Sequence, residues 1–255
     1  MKLYGLIGFP LVHSYSPEYF KEKFDRDNIQ AEYRAFPLEN IGNIFQLLEN
    51  NPSLTGFNVT VPYKQEIMLY LDKINPQARE INSVNTVVVE RINGKVKLIG
   101  YNTDIIGFEQ SIGPLLKERK DRNALVLGTG GTSKTVIHAL NKRYIHTFQA
   151  TRGDTKESEG IYNYRDLTDE LIRKTTIIIN TTPVGMYPKT DELPELPYDK
   201  ITSNHLLFDV IYNPTQTLFL KEGLERGATV KNGYEMLVLQ AENSWKIWQE
   251  NQQHF

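Results

Sequence analysis

Short apolar stretches of β-forming residues alternate with stretches of helical periodicity along the first half of the chain. The pattern predicts strands at residues 3–8, 31–36 and 56–61, helices at 17–28 and 41–50, and a helical turn at 64–71. Such alternation is typical of a parallel sheet with crossover helices. Asn93-Gly94 lies between two further β-rich stretches, at 84–90 and 95–100, and predicts a hairpin. The first sheet is therefore predicted to be mixed.

The alternation starts again at residues 124–128, which we interpret as a second domain. A helix at 103–118 precedes it, strands are predicted at 147–151, 176–180 and 206–212, and helices at 133–142, 168–174 and 215–226. This is a doubly wound arrangement. The last helix, at 234–249, carries Trp245 and Trp248 and is expected to pack back on the first domain.

Composition narrows the classes of function. The chain of 255 residues has 29 Lys and Arg against 31 Asp and Glu, a net charge of −2 that disfavours nucleic acid as a main partner. It has no cysteine, which excludes disulfides, zinc–thiolate sites and a cysteine nucleophile. No apolar stretch approaches the length of a membrane span or forms a signal peptide, so we expect a cytoplasmic protein without a membrane partner.

A glycine-rich segment lies between a predicted buried strand and a predicted helix. It reads Gly128-Thr129-Gly130-Gly131-Thr132-Ser133, which is GxGGxS rather than a strict GxGxxG. In this context the glycines allow a tight turn and close approach to a pyrophosphate, and the start of the helix offers N–H donors to it. The alternative is a glycine-rich turn that binds no ligand.

The end of the next strand indicates which dinucleotide is preferred. An NAD site usually has an acid there, roughly 20 residues past the loop, whereas this chain has Ala150-Thr151-Arg152. A guanidinium can pair with a 2′-phosphate, which favours NADP. Asp154 is the alternative acid, and we interpret it as a solvated loop residue.

Polar clusters follow or precede the strands of the first half, where open sheets bind ligands. Each has a structural alternative: Ser16 as a helix cap, Thr60 as a strand residue, Asn85 as a turn residue, Asp104 as a helix cap, and Lys64 as a solvated lysine.

Together, the clusters resemble the shikimate dehydrogenase family over the whole chain. The motifs are Ser-x-Ser-Pro at 14–17, Asn-Val-Thr-Val-Pro-Tyr-Lys at 58–64, Val-Asn-Thr at 84–86, Asn-Thr-Asp at 102–104, the glycine loop, Asn-Thr-Thr-Pro-Val-Gly-Met at 180–186, Asp-Val-Ile-Tyr-Asn-Pro at 209–214, and Gln240-Ala241. The resemblance implies a two-lobed α/β fold. A mixed-sheet substrate domain would comprise residues 1–101 and 233–255, and a Rossmann-like, doubly wound NADP-binding domain residues 102–232.

The same resemblance implies an oxidoreductase that reversibly reduces 3-dehydroshikimate to shikimate with NADPH, in chorismate and aromatic amino-acid biosynthesis. Because the carbonyl oxygen becomes alkoxide-like as hydride arrives, a positioned cation that can release a proton lowers the barrier. Lys64 would be the general acid in reduction and the base in oxidation. Asp104 would lie beside it, accept a proton from a hydroxyl or an ammonium group, and favour protonated Lys64.

The binding residues follow from the resemblance in the same way. Substrate-binding residues would be Ser14, Ser16 and Tyr212 on the carboxylate, with Asn58, Thr60, Asn85 and Gln240 completing the substrate site. Cofactor-binding residues would be Gly128, Gly130, Gly131, Thr132 and Ser133 in the loop, Thr151 and Arg152 at the 2′-phosphate, and Met186 and Gly233 towards the nicotinamide, with Thr181 shaping the cofactor site. No metal is expected.

The sequence departs from the family pattern at two places, and two alternative functions stay open. Asn82-Ser83 replaces a frequent Gly-Ala, and Thr151-Arg152-Gly153 replaces Asn-Arg-Thr. The nearest alternative is a quinate/shikimate dehydrogenase that uses NAD. The other is a protein that senses NADP(H) and a metabolite without turnover, which would not need Lys64 and Asp104. A monomer or a homodimer is expected.

Overall fold

The computed structural model describes residues 1–11, 14–117, 119–120, 123–153 and 155–251. It divides into two compact units: the first unit is Met1–Thr103 together with the chain from Ala241 onward, and the second unit is Asp104–Gln240. The divisions fall at 103/104 and 240/241, whereas the expected boundaries were 101/102 and 232/233. The last helix therefore contributes to both units.

The first unit is built on a six-stranded mixed sheet. Its elements are β1 (Lys2–Gly8), α1 (Ser16–Arg26), β2 (Ala31–Pro37), α2 (Ile44–Asn50), β3 (Leu54–Val59), β4 (Lys73–Ile74), α3 (Pro76–Ile81), β5 (Thr86–Ile92) and β6 (Lys95–Tyr101). The strand order is β2-β1-β3-β5-β6-β4. The first three strands are parallel, and β5 and β6 form the antiparallel hairpin that Asn93-Gly94 predicts.

The end of the last helix, α8 (Tyr234–Glu250), packs on one face of this sheet. Trp248 is fully buried, stacks on Tyr4 and donates its indole N–H to the carbonyl of Val87 at 3.0 Å. A Cβ on Gly56 of β3 would lie 2.5 Å from the Trp248 ring, so this strand needs glycine at the contact. The other face of the sheet is covered by a cluster that includes Ile44 of α2.

The second unit is built on a six-stranded parallel sheet. Its elements are α4 (Asp104–Leu116), β7 (Asn123–Leu127), α5 (Gly131–Asn141), β8 (His146–Thr151), β9 (Ile161–Asn163), α6 (Asp169–Lys174), β10 (Ile177–Asn180), β11 (Leu206–Asp209), α7 (Leu218–Glu225) and β12 (Thr229–Lys231), with the start of α8. The strand order is β12-β11-β10-β7-β8-β9. Read from the other edge, this is the 3-2-1-4-5-6 order of a Rossmann sheet.

The central strands of this sheet are buried on both faces, which explains why they are continuous apolar runs rather than alternating ones. All four residues of β10 are buried, as are the four residues from Ala124 to Leu127 in β7. The predicted fold class, a mixed sheet plus a doubly wound parallel sheet, agrees with this architecture.

Four short elements were not predicted: β4, α3, β9 and β12. The strands have only two or three residues, too few for an alternating pattern to show, and α3 has six. Among the described residues, no helix is long and apolar enough to cross a membrane.

Candidate active site

Four of the sequence motifs meet at one edge of the first sheet. The parallel strands β1 and β3 both end there, and the antiparallel strand β5 begins there, because Thr86 pairs with Asn58 on one side and with Tyr101, the last residue of β6, on the other. The segments after β1, β3 and β6 and the segment before β5 therefore start from the same edge, as expected for a ligand site in an open sheet.

Lys64 is held at this edge by its backbone. Its carbonyl accepts the N–H of Val84 at 2.8 Å, and the next residue, Asn85, donates its own N–H to Tyr101 at 3.1 Å. Lys64 lies before a 3-10 helix, Glu66–Tyr70, and its side chain is half-buried. The structure thus brings the backbone of Lys64 next to the segment that carries Asn85.

The two serines of the first motif lie at the start of α1. Ser14 and Ser16 are both half-buried, and α1 begins at Ser16 without a side-chain cap. Burial raises the pKa of Tyr33 well above its ordinary value, and a hydrogen bond with Ser16 partly offsets that rise. The Ser16 hydroxyl is therefore beside Tyr33. His13, between the first strand and Ser14, lies outside the described residues.

Asn58 is buried to about the same extent as Asn85, the other predicted substrate asparagine. It is only 4% exposed, and its Oδ1 accepts the hydroxyl of Tyr33 at 2.9 Å. Its Nδ2 donates to the carbonyl of Asn85 at 3.1 Å and to the hydroxyl of Ser244 at 2.9 Å. Its amide is thus engaged with the protein on both sides. Thr60 is half-buried, and its N–H donates to Ile7 at 2.9 Å, which extends the β1–β3 pairing.

Asp104 and Gln240 both belong to the second unit. Asp104 is the first residue of α4 and is 5% exposed. One turn later, a Cβ on Gly107 would lie 2.6 Å from the carbonyl oxygen of Met236 and 3.2 Å from Gln240. Glycine thus lets the start of α4 pack directly on α8 at Gln240, which is 9% exposed. The predicted proximity of Asp104 to Lys64 stays a prediction.

The glycine loop has the geometry of an anion cradle. Gly128 has φ +104, a left-handed conformation that favours glycine, and a Cβ built on Gly130 meets nothing within 4 Å. Helix α5 begins at Gly131, and Thr132 is its second residue. The N-cap residue is Gly130, which makes no side-chain hydrogen bond to the start of the helix. The start of this helix can therefore take a phosphate from outside.

Two residues predicted in the cofactor site bond to the protein behind the loop. Ser133 is fully buried, donates to the carbonyl of Gly128 at 2.8 Å and accepts from Gln149 at 3.0 Å. Thr181, which follows β10, donates its hydroxyl to the carbonyl of Leu127. Both side chains shape the loop at the point where the strand order reverses, between β7 and β10.

The end of β8 presents a cation. The hydroxyl of Thr151 accepts the N–H of Gly153 at 3.0 Å, which turns the chain and leaves Arg152 exposed. Burial raises the pKa of Tyr164 to about 12, against the opposing effect of the nearby Arg152 charge. No carboxylate is found at the end of β8 within the described residues; Asp154 lies outside them.

A second cation, which sequence reasoning did not identify, lies at the adjacent strand end. Strand β9 pairs with β8 in parallel, with Asn163 opposite Thr151, and Asn163 Oδ1 accepts the N–H of Arg165 at 3.2 Å. Arg165 lines a cavity of about 730 Å³ together with Gly153, Thr155, Asn163 and Asp166. Recognising residues 161–163 as a strand would have placed Arg165 next to Arg152.

The loops after β10 and β11 are tied together by buried polar groups. Asp209 is fully buried, and its Oδ1 accepts the amide of Asn180 at 3.1 Å and the N–H of Ile211 at 3.0 Å. Its Oδ2 accepts the hydroxyl of Thr217 at 2.6 Å. Because of its burial, the pKa of Asp209 is raised from 3.8 to about 6.

These loops carry the remaining predicted residues. Tyr212 is half-buried, and Met186 is 42% exposed. A Cβ on Gly233 would lie 2.0 Å from the carbonyl oxygen of Val210, so no other residue fits there without a backbone shift. The arrangement fits a dinucleotide in the second unit: an open glycine cradle, an uncapped helix start and two arginines at neighbouring strand ends.

Comparisons with known proteins agree with this geometry. Residues 6–87 match the family model described as the shikimate dehydrogenase substrate binding domain. The NADP(+) shikimate dehydrogenases of Methanococcus aeolicus and Clostridium beijerinckii are each 39% identical to this chain. The alignments cover 97% and 99% of this chain and 91% and 93% of those proteins, respectively.

A solved structure of a shikimate dehydrogenase in complex with NADP+ superimposes with a TM-score of 0.83 at 33% identity, over 97% of this chain and 90% of that one. The similarity thus extends through both units, and the predicted fold class and family are confirmed. The chain belongs to the shikimate dehydrogenase family.

Proposed function

We propose that this protein is an NADP-dependent shikimate dehydrogenase, which reversibly reduces 3-dehydroshikimate to shikimate in chorismate and aromatic amino-acid biosynthesis. The observation that carries the proposal is the full-length similarity to NADP(+) shikimate dehydrogenases. We assign substrate binding to the first unit and NADP binding to the second.

The reaction needs one hydride and one proton. Bound NADPH supplies the hydride to the ring carbonyl carbon. Lys64 protonates the carbonyl oxygen as it becomes alkoxide-like, and in shikimate oxidation the neutral amine takes the hydroxyl proton. We assign Asp104 the task of orienting the Lys64 side chain towards the carbonyl oxygen.

Neutral donors hold the substrate in this proposal. The hydroxyls of Ser14, Ser16 and Tyr212 bind the carboxylate, and Thr60, Asn85 and Gln240 bind the ring hydroxyls or the carboxylate. Hydroxyl and amide groups at the edge of an open sheet are suited to a small polyhydroxylated acid, because each supplies a directed hydrogen bond.

Arginines at the ends of β8 and β9 determine the cofactor preference. Arg152 is exposed after Thr151, and Arg165 lines the adjacent cavity. A guanidinium pairs with a phosphate through two parallel hydrogen bonds, and it would have no comparable partner on an unmodified ribose. This supports NADP over NAD.

The main alternative is a quinate/shikimate dehydrogenase that uses NAD, and the other is a sensor without turnover. Neither is favoured by a specific residue: the described end of β8 carries no acid, and both Lys64 and Asp104 are present. A cytoplasmic location and a monomeric or homodimeric state remain predictions.

The test is an assay of purified protein with shikimate and NADP, in which the formation of NADPH is followed by absorbance. We expect turnover that needs both substrates. A protein that binds NADP but forms no NADPH with shikimate would contradict the proposed function and support the sensor.

A further inference from the structure

Three buried hydroxyl groups contact one another inside the first unit. Thr86 Oγ1 lies 2.8 Å from Ser244 Oγ and 3.1 Å from Thr103 Oγ1, and Thr103 Oγ1 lies 3.1 Å from Ser244 Oγ. All three residues are 0% exposed. We call these three side chains the hydroxyl triangle. The proposed reaction gives none of them a role.

Two asparagine side chains donate hydrogen bonds to the hydroxyl triangle. Asn58 Nδ2 donates to Thr86 at 3.1 Å and to Ser244 at 2.9 Å. Asn85 Nδ2 donates to Thr103 Oγ1 at 3.0 Å. The triangle thus connects Asn58 to Asn85, which we place in the substrate site.

The orientation of the Asn85 amide is set mainly by Thr103, and the Thr86 hydroxyl adds a contact to Asn85 Oδ1 at 3.3 Å. Asn85 Oδ1 accepts the backbone N–H of Thr103 at 2.7 Å and lies 3.2 Å from its hydroxyl. A backbone N–H can only donate, so the reversed amide would place two donors against each other. The Thr103 hydroxyl accepts from Nδ2, which holds the other end of the same amide.

The other two members of the hydroxyl triangle, Thr86 and Ser244, hold the Thr103 hydroxyl in place. A hydroxyl has one proton and two acceptor sites, and Thr103 Oγ1 has both Thr86 and Ser244 within hydrogen-bonding distance. A buried polar network of this kind is rigid when it is fully bonded, and three apolar side chains would have packed there without any desolvation cost.

We propose that Thr103 is a positioning residue, whose hydroxyl, held by Thr86 and Ser244, fixes the Asn85 amide for the hydroxyl groups of the substrate. The inference rests on the proposed function, in which Asn85 binds the substrate. It assigns a task to the central residue of the Asn-Thr-Asp motif, next to Asp104.

The test uses two variants at one position. Thr103→Val removes the hydroxyl and keeps the shape, whereas Thr103→Ser keeps the hydroxyl and removes a methyl group. We expect Thr103→Val to raise the KM for shikimate about fivefold to tenfold, the scale of one hydrogen bond, with kcat within about twofold and the KM for NADP unchanged. Thr103→Ser should restore the wild-type KM.

Two comparisons separate positioning from a general loss of stability. Thr175→Val removes another fully buried threonine hydroxyl, which donates to Leu171 at 2.7 Å in the second unit, and should leave the KM for shikimate unchanged. In an Asn85→Ala background, Thr103→Val should add no further increase in KM, because the amide it positions is gone.

Several results would overturn the inference: an unchanged KM in Thr103→Val, an equal rise in Thr103→Ser, or a full additional rise in the Asn85→Ala background. If Thr103→Val does not fold, Ser244→Ala removes another corner of the triangle and must raise the same KM.

A readout without turnover separates this inference from the proposed function. In the NMR spectrum of the wild-type protein, the two Asn85 side-chain amide protons should exchange slowly with solvent. They should exchange at least tenfold faster in Thr103→Val but not in Thr103→Ser. Slow exchange in both variants would contradict the positioning role, whether or not the protein oxidises shikimate.

Discussion

The side-chain amide of Asn180 donates to Oδ1 of Asp209 at 3.1 Å, and this hydrogen bond joins the ends of the adjacent strands β10 and β11. Both residues are fully buried. The pair ties together the loops that carry Met186 and Tyr212, which we place in the cofactor site and the substrate site.

Asp209 makes the stability of the protein depend on pH. Its pKa is raised from 3.8 to about 6 by burial, so the folded protein binds its proton more tightly than the unfolded chain does. The stability that this proton provides is present below pH 4 and is lost as the pH rises to about 6. The shift corresponds to about 3 kcal/mol.

The measurement compares wild type with Asp209→Asn by urea unfolding at several pH values. The difference in unfolding free energy should change by about 2 kcal/mol in favour of Asp209→Asn between pH 4 and pH 7. A difference that does not vary with pH would mean that Asp209 titrates normally in the folded protein.

Ser83 should be replaceable with a gain in stability. Among the described residues, its hydroxyl is one of two buried side-chain polar groups without a hydrogen-bond partner, and Ser83 is 0% exposed. Removing an unsatisfied buried hydroxyl removes its desolvation cost, so Ser83→Ala should raise the free energy of unfolding by about 1 kcal/mol.

Ser133→Ala is the matched control for this prediction. Ser133 is also fully buried, but its hydroxyl has two partners, Gly128 and Gln149, so its removal should lower stability by about 1 kcal/mol. Urea unfolding of both variants checks the opposite signs, and a loss of stability in Ser83→Ala would refute the prediction.

Arg152 and Arg165 should both contribute to the preference for NADP. Removing one guanidinium from a phosphate site should lower the ratio of kcat/KM for NADP to that for NAD by about tenfold or more, since a charge-assisted hydrogen bond contributes roughly 1.5–3 kcal/mol. Steady-state rates of Arg152→Ala and Arg165→Ala with both cofactors provide the ratio. Arg173→Ala, an exposed arginine in α6, is the control. An unchanged ratio in either variant would remove that arginine from the cofactor site.

Lys64 should be needed for turnover but not for cofactor binding. Loss of an acid–base group lowers kcat by about a hundredfold or more, so Lys64→Ala should show that decrease with little change in the Kd for NADP. Lys64→Arg keeps the charge but cannot release the proton, and should be similarly slow. Near-normal turnover in either variant would exclude Lys64 as the proton donor.

Most strands and helices could be predicted from the sequence because their apolar patterns extend over enough residues to be recognised. Residues 124–128 and 176–180 are apolar enough to indicate buried strands, and the Asn93-Gly94 turn identified the hairpin. Strand β9 could not be found in this way, and with it Arg165 was missed. Three residues are too few to show a periodic pattern, and their pairing with β8 forms only in the folded protein.

The proposed site residues come from sequence motifs, which do not indicate how deeply each residue is buried. Nothing in the sequence shows that the side-chain amides of Asn58 and Asn85 are both bonded inside the protein. The structure explains how Asn82 can replace the glycine that is frequent in the family. Asn82 has φ +58 at the end of α3, a conformation that asparagine tolerates in place of glycine. The replacement of alanine by Ser83 lowers stability, because the buried Ser83 hydroxyl has no hydrogen-bond partner.

The most direct test of the proposed function is a set of four initial-rate measurements, with shikimate or quinate as substrate and NADP or NAD as cofactor. The structure and the family relationship predict the highest kcat/KM for shikimate with NADP. The Arg152 and Arg165 guanidinium groups predict a clear loss on changing to NAD. Equal or higher kcat/KM with quinate and NAD would contradict the proposed function and identify the protein as a quinate/shikimate dehydrogenase.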